Sequence, residues 1–453
     1  MITSLRLVNF KNFADETLHL GPFTLIVGAN ASGKSNIRDA FRFLLGIGRE
    51  YTLAETMGGR YGEGGNREWT GIRGAPNEII RLGQDEFSIE VELKPIVMQV
   101  ADVRDICFGI QIGREGGIGG SFKVVSESLA VCSESSDSVI SGTIYESNPL
   151  NDGSVGAENE KKSLHISLPV VKRLIEVPSD QPCLSQLFEL NDKLDNGSRT
   201  EASDMRWRRE LWAKVGTSLV IVEGMVSLAR VRFLELLPER LQEPSIPGAT
   251  RLGDFGENLP TVLNSVCADP HRKSVLLSWL HELTPMDVSD LTFPRDPSGR
   301  IHLQIQEANG RSVSAYSASD GTLRFLGMLA ALLNEEFEGL YFFEEIDNGI
   351  HPARLHLLLD LIERQTAKGK IQVIATTHSP DILNLINDTT FENTSVVYRD
   401  EDSADAVIRR VAELPNAREL RKSQGLGRLH AGGWMENILS FAEADREDQK
   451  DRE

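Results

Sequence analysis

Cysteine is scarce: the chain of 453 residues has four, Cys107, Cys132, Cys183 and Cys267, far apart and without ligand-like spacing. That excludes a disulfide framework and a thiolate zinc site, and the four read as free thiols of a reducing compartment. No apolar run approaches the length that crosses a bilayer, and the first residues lack a secretory leader pattern. The expected location is therefore the cytoplasm, with no membrane contact. Basic charge is in deficit, with 48 Lys and Arg against 67 Asp and Glu, a formal charge of −19. A whole-protein basic footprint for nucleic acid is absent, which leaves only a local groove for DNA. Sustained apolar heptads are missing too, so no long coiled-coil arm is expected. What remains is ordinary globular composition, 40% hydrophobic and 25% charged, in a chain long enough for two or three domains.

The most informative stretch is Gly28-Ala29-Asn30-Ala31-Ser32-Gly33-Lys34-Ser35. It fits the phosphate-loop pattern of glycine, four residues, glycine, lysine and serine. The β-rich run Phe23-Thr24-Leu25-Ile26-Val27 precedes it. A helical pattern follows from Asn36, with Ile37, Ala40, Phe41, Leu44 and Leu45 on one face. Glycines let the main chain approach phosphates, and successive N–H groups with the helix N-terminus form an anion nest. Lys34 is expected on the β- and γ-phosphates, and the Ser35 hydroxyl on Mg²⁺.

Downstream, residues 46–74 carry nine glycines interleaved with Arg49, Arg60, Arg67 and Arg73. They read either as a surface loop or as an arginine-bearing loop that meets a partner or a nucleic-acid backbone. Residues 1–27 read as two strands, 2–10 and a second that 18–20 lead into through Gly21-Pro22. Residues 87–93, 106–112 and 122–126 read as three more, the last two joined by a glycine-rich hairpin at 113–120, and these three suggest an antiparallel β-layer. Residues 132–162 are polar enough to read as a long excursion, and 170–285 as mostly helical, with helices near 182–194, 203–241, 259–266 and 273–283. Strands near 289–293 and 301–307 follow, and the charged residues 443–453 read as a frayed tail.

Three further stretches carry chemistry. Leu340-Tyr341-Phe342-Phe343 is an apolar strand ending in Glu344-Glu345, which reads as an acidic turn or as a pair of working carboxylates. In the second reading Glu344 serves the magnesium shell and Glu345 polarises the attacking water. Ile371 to Thr376 is another buried strand, followed by Thr377-His378-Ser379-Pro380, where His378 is either structural or a γ-phosphate contact. Ser319-Asp320-Gly321 opens a helix over 322–335, either as a simple cap or as a second helix N-terminus on a phosphate.

These stretches, in this order, resemble the ABC-type ATPase heads of the RecF, SMC and OLD group, and among them the compact ATPases of bacterial anti-phage systems. The likeness covers residues 1–100 and 285–390. It implies an α/β fold: a phosphate-loop core sheet with an antiparallel β-layer and a mostly helical insertion. The implied domains are an N-terminal lobe at 1–130, an inserted region at 131–285, a C-terminal lobe at 286–400 and an extension at 401–453. By the same likeness Lys34 and Ser35 are the Walker A pair, within the nucleotide-binding run Gly28 to Asn36. Ser319, Asp320 and Gly321 are the signature motif, Glu344 the magnesium carboxylate, Glu345 the catalytic glutamate and His378 the switch histidine. Asn9 to Phe13 resembles the segment near the adenine.

Glu344 stands where aspartate is usual, and His351-Pro352 where many relatives carry an aspartate, which makes Asp347 and Asn348 the nearer dimer contacts. Gln84 and Gln111 are alternatives for the Q-loop glutamine. The resemblance implies ATP and Mg²⁺ as cofactors and a head-to-head dimer or higher oligomer with composite sites. It also implies a separately encoded Toprim or HNH nuclease as the controlled effector, since the residues after Pro380 are too few for a nuclease domain. A RecF-like clamp on DNA is the alternative.

Overall fold

The computed structural model describes residues 1–95, 103–116, 120–135, 138–149, 163–168, 173–186, 217–283, 287–334, 337–399 and 405–423. They form two compact units, Met1–Leu20 with Ala31–Val231 and Val397–Ile408, and Gly21–Asn30 with Arg232–Val396 and Arg409–Glu453.

The first unit is an antiparallel layer with a helix on it. Strand β1 (Ile2–Phe10) pairs with β2 (Phe13–His19) on one side. On its other side the sheet continues through β6 (Glu86–Leu93), β7 (Val103–Arg114) and β8 (Phe122–Ser135). In β6, Phe87, Ile89, Val91 and Leu93 are buried while the intervening polar residues are less so, the alternation of a half-buried strand. Helix α1 (Lys34–Gly48) covers the buried face, with Phe43 edge-on to Phe87 at 5.7 Å and Phe10 at 5.4 Å from the same ring. Helix α3 (Thr217–Ala229) lies so close to Gly48 that a Cβ there would meet the Leu228 and Ala229 backbone.

The hairpin at 113–120 is as expected, although 117–119 lie outside the described residues. Between residues 131 and 178 the described residues depart from the reading of a polar excursion followed by helix. Strand β8 runs to Ser135, and β9 (Ser138–Pro149), β10 (Ser163–Leu168) and β11 (Arg173–Pro178) add three antiparallel strands. A ladder already in place supplies main-chain partners, so a Ser-rich stretch that looks like loop forms strand. Among the described residues, helices occur as a turn at 183–186, then α3, α4 (Pro238–Leu241), α5 (Leu259–Cys267) and α6 (Pro270–Leu283), the last two near the expected 259–266 and 273–283, with β12 (Val231–Leu234) between α3 and α4. Residues 150–162, 187–216 and 424–453 lie outside the described residues, and with them the polar excursion beyond β9 and the charged tail.

The glycine and arginine stretch folds on itself. Helix α2 (Leu53–Gly58) starts with a capping box on Thr52 and Glu55, and β4 (Arg60–Tyr61) pairs with β5 (Arg67–Trp69). Arg42 and Arg49 lie over the Trp69 ring at 4.5 and 5.3 Å, and Arg60 lies over Tyr51 at 5.1 Å.

The second unit is built on parallel strands in the order β18 (Thr394–Arg399), β3 (Phe23–Val27), β17 (Ile371–Thr377), β16 (Gly339–Phe343). Every residue of β3, β16 and β17 is buried, as strands covered on both faces require. Helices α7 (Asp320–Leu332) and α8 (Leu355–Thr366) turn apolar faces inward. A small antiparallel sheet, β13 (Val288–Thr292), β14 (Gln304–Glu307) and β15 (Ser312–Ser314), completes the unit. No long coiled coil occurs among the described residues.

Candidate nucleotide-binding site

In the parallel sheet Val27 pairs with Thr377 and Phe343 with Ala375. The chain therefore leaves β3, β16 and β17 at one edge, and the next residues are Gly28, Glu344 and His378. Ligands of open parallel sheets bind beyond this edge. The imidazole of His378 ties two of these exits together. Its Nδ1 donates to the Gly28 carbonyl at 2.9 Å, because a carbonyl can only accept, and its Nε2 stands 3.8 Å from Glu345 Oε1.

Glu345 has a left-handed backbone, φ 48°. Its N–H donates to Thr376 Oγ1 at 3.0 Å, and Asn348 Nδ2 donates to its Oε2 at 3.3 Å. Thr377 Oγ1 donates to Asp347 Oδ1 at 2.7 Å and accepts from the Ser379 N–H. Glu344 is half-buried. Arg324 and Met328 of α7 line a cavity of about 20 Å³ with Phe343, Glu344, Glu345 and Asn348.

Ser319 caps α7, accepting the Thr322 N–H at 3.2 Å, with Asp320 in the first turn. The capping reading is thus met in full. Gly321 abuts the Gly349 carbonyl, and a Cβ would not fit there. The start of α7 and the turn after Glu345 are therefore in backbone contact.

The remaining loop residues belong to the first unit. Ala31 (φ 63°) and Gly33 (φ 118°) adopt left-handed backbone around Ser32, the alternation that aims successive N–H groups at one point. A Cβ on Gly33 would lie 3.0 Å from Ala406 Cβ, 3.1 Å from Asn12 Nδ2 and 3.2 Å from Phe13 Cζ. Helix α1 begins here with no acidic residue in its first turn, so its positive end is not offset from within. Lys34 is buried, Ser35 exposed, and the buried Ser32 Oγ has no hydrogen-bond partner among the described residues. The close packing requires glycine at 33, and an orphaned hydroxyl beside a left-handed nest fits a phosphate chain.

The same first unit shows what the sequence reading missed. Asp39, 1% exposed, sits between Lys11 Nζ at 2.5 Å and Arg73 Nε at 3.2 Å. Lys11 also donates to the Arg73 carbonyl at 2.7 Å, and Arg73 donates to the Ser35 carbonyl. Asn36 Nδ2 donates to Asn12 Oδ1 at 2.7 Å, so the turn between β1 and β2 is fastened to α1. A carboxylate beside the apolar stripe of α1 was the one available signal.

Of the alternatives for the Q-loop glutamine, Gln84 is exposed on a turn, and Gln111 on β7 bonds Glu86 and Ser126. The loop arginines are also engaged. Arg60 pairs with Glu55 and Glu68, Arg67 donates to the Thr70 carbonyl, and residues 46–74 hold four arginines against four glutamates.

Among the described residues no three His, Cys, Asp or Glu side chains gather as a metal cage, and no helix is long and apolar enough to cross a membrane. Mg²⁺ needs no such cage, because it binds through one or two protein groups plus substrate phosphates. Ser35 and Glu344 are chemically suited to that part.

A family model described as "AAA domain, putative AbiEii toxin, Type IV TA system" matches residues 23–102 and 281–384. Every candidate residue at 28–36, 319–321, 344–345 and 378 falls within those stretches. The chromosome partition protein Smc of Clostridium kluyveri (strain NBRC 12016) is 43% identical over 61 residues, 13% of this chain and 5% of that protein. Among solved structures, an Smc head bound to the C-winged helix domain of ScpA gives a TM-score of 0.44 at 15% identity, over 90% of this chain and 97% of that one. The SMC head domain from Thermotoga maritima gives 0.40 at 13%, over 90% and 98%. An Smc head with an extended coiled coil, bound to the C-terminal domain of ScpA derived from Pyrococcus furiosus, gives 0.40 at 14%, over 90% and 95%.

Proposed function

We propose that this chain, an ABC-type ATPase head of the SMC and RecF group, is an ATP-hydrolysing switch that works as a pair. One observation carries the reading: His378 joins the Gly28 carbonyl, the first residue of the phosphate loop, to the carboxylate of Glu345. A phosphate-cradling loop and a residue that orients the attacking water are parts that phosphoryl transfer to water uses, and His378 places a carboxylate beside the loop's first residue. In this reading the N–H groups of Gly28 to Asn36 and Lys34 hold the phosphates, while Ser35 and Glu344 hold Mg²⁺, which neutralises phosphate charge when bound. Glu345 takes the proton of the attacking water, and His378 senses the γ-phosphate. Ser319, Asp320 and Gly321 close over the nucleotide of a second copy.

The output we assign is control of a separate effector, a nuclease, in defence against phage. The toxin and toxin–antitoxin wording of the matching family description supports an output of the toxin–antitoxin kind. The engaged arginines and balanced charge of residues 46–74 remove the observation on which a DNA clamp rested.

The test is phosphate release by the full chain and its Glu345→Gln and Lys34→Ala variants. Glu345→Gln is expected to keep ATP and lose at least about a hundredfold in kcat, the scale of a lost general base, while Lys34→Ala loses ATP binding. Wild-type turnover by Glu345→Gln would remove Glu345 from the reaction.

A further inference from the structure

We propose that Thr376 and Asn348 are positioning residues that hold Glu345 in a strained backbone conformation, with one carboxylate oxygen presented to the attacking water. The proposal rests on the role given to Glu345 above. A non-glycine residue with φ 48° is uncommon and persists where its surroundings over-determine it. Here they do. The pairing of β17 with β16 ends at Ala375, opposite Phe343, so Thr376 and Thr377 extend past the partner strand.

Thr376, 4% exposed, receives two consecutive N–H groups of the acidic turn. Its hydroxyl accepts from Glu345 and its carbonyl from Ile346, both at 3.0 Å. Asn348 holds the other side: its N–H donates to the Glu345 carbonyl at 2.8 Å and its side-chain amide to Oε2 at 3.3 Å. That assigns Oε2 to Asn348 and leaves Oε1 on the side of His378 Nε2. In the step itself, a water O–H proton moves to Oε1 as the water oxygen bonds the γ-phosphorus. The bond from that phosphorus to the bridging oxygen breaks, and ADP and phosphate leave.

Steady-state turnover and equilibrium binding of ATP are measured on the full chain and on Thr376→Val, Thr376→Ser, Asn348→Ala and Glu345→Gln. Thr376→Val keeps the shape of the side chain and loses the acceptor. Its kcat is expected to fall about a hundredfold, the cost of misplacing a catalytic group by an ångström. Its ATP affinity stays within about twofold, because the lost contact acts in the transition state only. Thr376→Ser, which restores the hydroxyl, is expected to return most of the rate. Asn348→Ala, at an exposed position, is expected to fall about tenfold and carries the same test if Thr376→Val does not fold. With Glu345→Gln inactive, a wild-type kcat in Thr376→Val and Asn348→Ala, or a Thr376→Ser variant as slow as Thr376→Val, would overturn the proposal and leave Glu345 standing. Wild-type turnover in Glu345→Gln would overturn both.

Discussion

A methyl group on Gly321 would meet the Gly349 carbonyl, a backbone atom that cannot step aside as a side chain can. Gly321→Ala is therefore expected to destabilise the fold by about 1–3 kcal/mol, the usual cost of overpacking, read as a lowered Tm. It should also slow ATP turnover, since the displaced turn carries Asn348 and Glu345. An unchanged Tm would mean that the turn has room the structure does not show. At this scale the phosphate loop was legible from residues 28–35 alone, because a nest and a helix N-terminus are made by neighbours in the chain. Glu344, Glu345 and His378 were legible as strand ends. Thr376 was not, because the groups it bonds lie across a strand pairing that no local pattern encodes, and Asn348, singled out in the sequence as a dimer contact, also bonds Glu345 three residues before it. Gln84 and Gln111 illustrate the converse: a lone glutamine carries no signal that singles it out.

Among the elements, α1 matters most, and its position depends on a buried charge. Asp39 lies between Lys11, from the turn after β1, and Arg73, from the end of the glycine-rich stretch. Removing one partner of a buried ion pair costs about 3–5 kcal/mol, and here Lys11 would stay buried without its countercharge while Arg73 is half exposed. Asp39→Asn is accordingly expected to lose about 3 kcal/mol in urea unfolding and to leave Arg73 tied to α1 through the Ser35 carbonyl alone. A loss no larger than that of an exposed substitution would show that Lys11 and Arg73 are solvated without Asp39. The core strands β3, β16 and β17 were readable as continuous apolar runs, and α1 and α7 as helices with one apolar face. The strands β9 to β11 were misread, because a strand added to an existing edge takes its main-chain bonds from the neighbour and needs little apolar signal of its own.

For the whole molecule, the order of the motifs along the chain carried the resemblance to an ATPase head, and the two matched stretches bracket the region where the sequence reading was weakest. With loop arginines engaged and a formal charge of −19, duplex DNA is expected to leave ATP turnover unchanged at physiological salt. A salt-sensitive rise in turnover on DNA would restore the clamp. The central claim is that ATP joins two heads, each completing the other's site with Ser319 to Gly321. It is tested most directly by the solution mass of Glu345→Gln with ATP and Mg²⁺, with Mg²⁺ alone, and with ATP after Mg²⁺ is chelated. The account predicts twice the 50.1 kDa chain mass, or a multiple of that dimer, only when both ATP and Mg²⁺ are present. A mass indifferent to ATP, in a protein shown to bind it, would contradict the composite site.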